Sequence, residues 1–232
     1  MNTLGYDPTP WFGIVRNDGK YLIKNGMFPI IGSLDNPSLT AALIAGTTPF
    51  MARYGGLWLL LPIGATYSCN SAMGIVSLIA GLLVLYWQRW MWFLSPVAIC
   101  STLYALDHTS VSQRDWLYPT WWKWSIWYGR GLGAFYDSFS YRFPHPQKFY
   151  TFRQEHSSLL TIYSIFGVFG ILLIIYMLSY IKWKRLMEPN RRVFFACFAS
   201  LIINSFCNLT FNIVGLSLVC LICYSVITLE DI

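Results

Sequence analysis

Three groups of residues in this chain are suited to chemistry. His156 stands between Glu155 and Ser157 at the start of a long apolar run. An imidazole titrates near physiological pH and can take a proton from a hydroxyl. At the edge of an apolar run it can equally be no more than a polar side chain placed where apolar surface meets water. Nine residues separate Ser157 from Gly167, and Gly170 follows three further on; glycines at that spacing ordinarily let helices pack closely. The second group is Arg114, Arg130, Arg142 and Arg153. Guanidinium groups are planar, permanently charged and able to hold phosphate through paired hydrogen bonds, although arginines beside a bilayer also simply meet lipid phosphates. The third is Gly129-Arg130-Gly131-Leu132-Gly133-Ala134-Phe135. Closely spaced glycines let backbone N–H groups approach an anion. Without a preceding strand and a following helix they do not make a dinucleotide site, and a flexible turn is the alternative. There is no Asp-x-Asp, no comparable carboxylate cluster and no paired CxxC motif, so neither a metal site nor a cofactor is expected.

The elements that carry these residues follow from charge. Only 11% of the 232 residues are charged and 56% are hydrophobic, whereas a soluble domain carries about a quarter charged residues. That balance excludes a disordered chain and a soluble single-core enzyme. No Asp, Glu, Lys or Arg occurs between Asp35 and Arg53, Arg53 and Arg89, Arg89 and Asp107, His156 and Lys182, or Arg192 and Glu230. A helix needs roughly 20 apolar residues to cross a bilayer, so the expected class is an all-α polytopic membrane protein with six or seven transmembrane helices. The expected organisation is an external segment over 1–35, four spans within 36–106 (near 38–52, 56–69, 71–88 and 91–106), an external segment over 107–157, and two or three spans within 158–229. The stretch 158–181 reads as the cleanest single span. The polar stretch from Asn204 to Asn212 suits a turn between two passes. Residues 113–128, with Trp116, Trp121, Trp122, Trp124 and Trp127 around Arg114, Asp115 and Lys123, read as an interfacial amphipathic helix that ends at the Gly-rich stretch.

Orientation comes from the short basic loops. The 182–192 loop carries five Lys/Arg against one Glu and is expected in the cytoplasm. Counting spans back puts 107–157 outside, Arg53 and Arg89 inside, and the N-terminus outside. The net charge of +6 therefore reads as orientation by positive loops, with no nucleic-acid partner. Residues 1–35 lack the apolar region of a signal peptide. Either the first segment inserts tail-first or the chain is the later part of something longer.

In their order these motifs resemble the O-antigen ligase and polymerase superfamily, polytopic bacterial proteins that transfer glycans. Ligase members carry His, then Asn, Ser or Gln, nine residues, Gly, two residues, and Gly, Thr or Tyr; His156-Ser157 with Gly167-Val168-Phe169-Gly170 matches in full. The family's basic residue and Trp leading into GxGxGxF are similar to Arg114-Asp115-Trp116 and Gly129–Phe135, and its Gly/Asn-Pro stretch opening a span is similar to Gly32 to Ala41. The likeness covers about 32–181. It departs at Asn70, near where many members place an arginine, and in having fewer spans than members typically have.

The resemblance implies a metal-independent glycosyltransferase of lipopolysaccharide or polysaccharide biosynthesis, either whole or in a truncated form. It would reside in the bacterial inner membrane with 107–157 on the periplasmic or external side. The donor would be an undecaprenyl-diphosphate-linked glycan and the acceptor a hydroxyl of a glycan, lipid A core or protein. His156 would act on the acceptor hydroxyl, and Arg114, Arg130, Arg153 and Arg142 would hold the diphosphate. Gly129, Gly131, Gly133, Gly167 and Gly170 would shape the motif. Membrane lipids, and a separate N-terminal half or another membrane subunit, complete the implied partners. The rival reading is a non-catalytic membrane scaffold or subunit of a larger complex, supported by the short chain and by spans without ionisable residues.

Overall fold

The computed structural model describes residues 37–69, 71–86, 127–129, 131, 157–183, 186, 188–206, 208, 211 and 213–229. Seven helices occur among them: α1 (Pro37–Met51), α2 (Leu60–Ser68), α3 (Ala72–Leu85), α4 (Ser158–Phe166), α5 (Val168–Ser179), α6 (Pro189–Ser205) and α7 (Val214–Thr228), with short 3₁₀ turns at Ala52–Tyr54 and Gly56–Leu59. There is no strand among the described residues, and the all-α class holds. No helix among the described residues is long and apolar enough to cross a membrane.

Local sequence accounts for the helix limits. Pro37 and Pro189 each begin a helix, where a missing N–H costs nothing. Ser71 caps α3 by accepting from the Gly74 N–H (3.2 Å), and Ser157 caps α4 by accepting from the Leu160 N–H (3.3 Å). Pro49 sits inside α1. In the turn before it, the Thr47 hydroxyl donates to the Leu43 carbonyl (2.8 Å) and the Thr48 hydroxyl to the Ile44 carbonyl (2.7 Å). These bonds bring extra donors to carbonyls next to the site where proline removes one.

Helices α1, α3 and α6 form the centre of the bundle. They approach closely because glycines lie at their contacts. A Cβ on Gly74 would lie 2.4 Å from the Ala41 Cβ, one on Gly81 would lie 3.2 Å from the Ala196 carbonyl oxygen, and one on Gly46 would lie 2.7 Å from a Leu201 methyl. Leu39, Ala42, Val193, Cys197, Leu201, Leu216, Cys223 and Ile227 fill the interior where α6 meets α1 and α7. The outer surfaces are apolar as well: Leu60 and Leu61 of α2, Leu172, Leu173 and Ile175 of α5, and Leu218, Leu221 and Ile222 of α7 are all exposed.

The contacts sort the helix ends into two groups. Arg53, after α1, hydrogen-bonds Asn190 at the start of α6, and Arg191 donates to the Leu229 carbonyl after α7 (2.9 Å). At the other end, the start of α4 meets the chain after α6 through Ser158 and Asn208. The basic stretches at Arg53 and Arg191 therefore share one end, and Ser157 lies at the opposite one.

Two expectations change. The stretch 158–181 is not one helix, because Gly167 (φ +63°, ψ −143°) breaks it into α4 and α5. A Cβ on Gly170 would lie 2.8 Å from the Ile162 carbonyl oxygen, whereas eight residues of straight helix span about 12 Å. The chain thus bends sharply, and Gly167 and Gly170 do not lie on a straight continuation of α4. The stretch near 56–69 likewise begins as a 3₁₀ turn before α2. The last apolar run forms two helices, α6 and α7, on either side of the polar stretch. The segments 1–35 and 91–106, and residues 113–126 of the helix expected over 113–128, lie outside the described residues; Trp127 and Tyr128, at the end of that expected helix, form a turn.

One substitution made at two glycines tests the packing. Gly74→Ala drives a methyl into Ala41, and neither atom belongs to a flexible side chain, so α1 and α3 must part at a cost of about 1–3 kcal/mol. A Cβ on Gly64 in α2 would meet nothing within 4 Å, and alanine there gains up to about 1 kcal/mol of helix propensity. Thermal unfolding in detergent micelles is expected to fall for Gly74→Ala and to hold or rise for Gly64→Ala.

Candidate functional site

The break in the 158–179 stretch is where two of the sequence motifs meet. Gly129 (φ +62°) and Gly167 (φ +63°) face each other backbone to backbone. A Cβ on Gly129 would lie 2.2 Å from the Ile165 carbonyl oxygen and 2.6 Å from the Gly167 nitrogen. A Cβ on Gly167 would lie 2.4 Å from the Gly129 nitrogen and 2.5 Å from the Trp127 carbonyl oxygen. Side chains are excluded on both sides of the contact, so both positions require glycine for space as well as for φ.

The docking also answers a hydrogen-bonding need. Ending α4 at Phe166 leaves carbonyls of its last turn without the next turn's N–H groups. Gly131 N–H donates to the Ile165 carbonyl (3.2 Å), and Gly167 N–H donates to the Tyr163 carbonyl (2.6 Å). The Tyr128 and Phe169 rings lie 6.5 Å apart and tilted by 39°, extending the contact onto the first turn of α5. The Gly-rich turn is thus the cap of a broken helix.

The other end of α4 is anchored separately. The Ser157 hydroxyl donates to the Ser205 carbonyl (3.2 Å) at the end of α6. The Ser158 N–H and hydroxyl both donate to the Asn208 carbonyl (3.1 and 3.2 Å), and the Ser158 hydroxyl accepts from the Phe211 N–H (2.9 Å). Ser157 and Ser158 are buried. The residue that follows His156 is therefore fixed to the end of α6 and the next one to the α6–α7 connection, about 12 Å along α4 from the glycine contact at 1.5 Å per residue.

Of the residues singled out in the sequence, Gly129 and Gly131 lie against the end of α4, Gly167 lies at the break, and Gly170 packs on Ile162. His156, Arg114, Arg130, Arg142, Arg153 and Gly133 lie outside the described residues. Arg130 is covalently flanked by two residues of the docked turn. Sequence reasoning did not single out Ser158, Asn204 and Asn208 as site residues; for the two asparagines the signal was a cluster of amides and hydroxyls interrupting an apolar run.

These described residues define an all-α bundle whose Gly-rich turn caps a broken helix. No family model, curated protein or solved structure matches the chain.

Proposed function

We propose that the chain is a polytopic membrane glycan transferase of the O-antigen ligase or polymerase type. On this reading it moves a glycan from undecaprenyl diphosphate to an acceptor hydroxyl on the external face. The observation that carries the reading is the contact between Gly129 and Gly167. The two glycines stand 38 positions apart in separate motifs, and a shared site requires such motifs to meet. Membrane residence is supported by the apolar outer surfaces of α2, α5 and α7, which suit a hydrocarbon solvent, and by the gathering of Arg53 and Arg191 at one end.

In the proposed reaction the acceptor oxygen bonds to the anomeric carbon while the bond from that carbon to the diphosphate oxygen breaks. The acceptor proton passes to His156, and the electron pair leaves with the lipid diphosphate. Charge grows on the leaving group as the bond opens, so arginines directed at it would stabilise the transition state more than the ground state. Arg114 and Arg130 rank first for this role, because they bracket the Trp-rich stretch and the Gly-rich turn; Arg153 and Arg142 follow. Lysine keeps the charge but not the planar fork, so Arg→Lys at a clamp position is expected to reduce transfer nearly as much as Arg→Ala. Full transfer by all four lysine variants would remove a two-pronged clamp from the mechanism.

The placement of the site is tested by cysteine labelling of intact cells, with the unsubstituted chain as the blank. An impermeant maleimide is expected to label Ser138→Cys and to leave Met187→Cys unlabelled until the membrane is opened. Labelling of position 187 alone would reverse the orientation and take the external site with it.

A further inference from the structure

A largely buried polar chain runs from the middle of the bundle to Ser158, two residues after His156. Asn204 in α6 is fully buried; its Nδ2 donates to the Ser77 hydroxyl (3.1 Å) and the Met73 carbonyl (3.4 Å) of α3. The Ser77 hydroxyl passes its own hydrogen to the Met73 carbonyl (2.6 Å), leaving its lone pairs for Asn204. Asn208 Nδ2 donates to Asn204 Oδ1 (3.0 Å). The Asn208 carbonyl then takes both the N–H and the hydroxyl of Ser158. Donors and acceptors agree along the whole chain, and it ties α3, α6 and the start of α4 together.

An apolar bundle gains little from such a chain as mere glue. Buried amides are costly unless every group is paired, and the neighbouring helix contacts are made by glycine, alanine and leucine without any. What the chain adds is direction, because hydrogen bonds fix angle and register where apolar contacts permit sliding. Its terminus is two residues from His156. We propose that Asn204 and Asn208 are positioning residues for His156, acting through the chain from Ser158 two residues on, an inference that rests on His156 being the acceptor-activating group. They touch no reacting atom; their effect is on where the imidazole stands. Displacing a reacting group by about 1 Å can cost roughly a hundredfold in rate, so a polar tether of this kind has a use even where it adds little stability.

The test uses the full-length chain in detergent micelles with histidine labelled at its ring carbon. The three histidines are His108, His145 and His156, and His156→Ala assigns the third signal. In Asn204→Leu, and in the milder Asn208→Ala should the leucine variant fail to fold, the His156 ring signal is expected to move while those of His108 and His145 stay within their linewidths. The same variants in membranes holding undecaprenyl-diphosphate-linked glycan are expected to lose about tenfold or more in kcat with KM for the donor unchanged. Asn204→Gln, which keeps both amide groups, should recover part of the loss. A His156 signal unmoved in folded Asn208→Ala would overturn the positioning role. Full transfer by His156→Ala would instead overturn the reading beneath it, and the ring signal, which needs no turnover, separates the two failures.

Discussion

Gly167→Ala is expected to remove most of the folded protein. The backbone at Gly167 (φ +63°, ψ −143°) lies in a region that only glycine enters freely, and a side chain there carries about 1–3 kcal/mol of strain. The added methyl would also meet the Gly129 nitrogen at 2.4 Å and the Trp127 carbonyl at 2.5 Å. Those are backbone atoms of a docked turn, and relieving the clash means undocking it at roughly 1–3 kcal/mol more. The sum is a large share of the 5–15 kcal/mol that typically holds a domain together. Gly129→Ala should fail in the same way, since its methyl would meet the Ile165 carbonyl oxygen at 2.2 Å. Fluorescence-detected gel filtration of detergent extracts reads the outcome. A monodisperse peak at full yield from either variant would mean that the turn and the helix break do not touch.

His156→Ala is expected to fail in the opposite manner, with normal abundance and no transfer. Proton transfer by a positioned side chain is worth about 10²–10⁴-fold, and on the proposed function a loss of that size removes the glycosylated product from a gel assay. The anchors of this end of α4 are the hydroxyls and backbone of Ser157 and Ser158, which the substitution leaves in place. Transferred glycan is compared with immunoblotted protein and with the remaining lipid-linked donor. A scaffold would tolerate the alanine and leave transfer untouched.

Much of the helical order is legible in the sequence because charge and proline mark it. The run between Asp35 and Arg53 contains α1, and the polar stretch from Asn204 separates α6 from α7. The break at Gly167 is not legible in the same way. Residues 158–181 carry no charge anywhere, and composition is the same whether the helix runs straight or bends. What decides the matter is a turn from elsewhere in the chain that supplies a hydrogen bond to Ile165, and no local window contains it. The amide chain is hidden for the same reason: Asn204 and Ser77 are 127 positions apart. Of the candidate site, the pairing of Gly129 with Gly167 is foreshadowed only in that both glycines belong to motifs that attract attention separately.

The most direct measurement of the central claim is donor turnover by the unsubstituted chain. It would be made in membranes that contain undecaprenyl-diphosphate-linked glycan and lipid A core but lack any other transferase, with EDTA present. Release of free undecaprenyl diphosphate, with matching growth of glycosylated acceptor and no response to added Mg²⁺, is the predicted result. Donor that stays intact beside abundant, correctly oriented, monodisperse protein would contradict it.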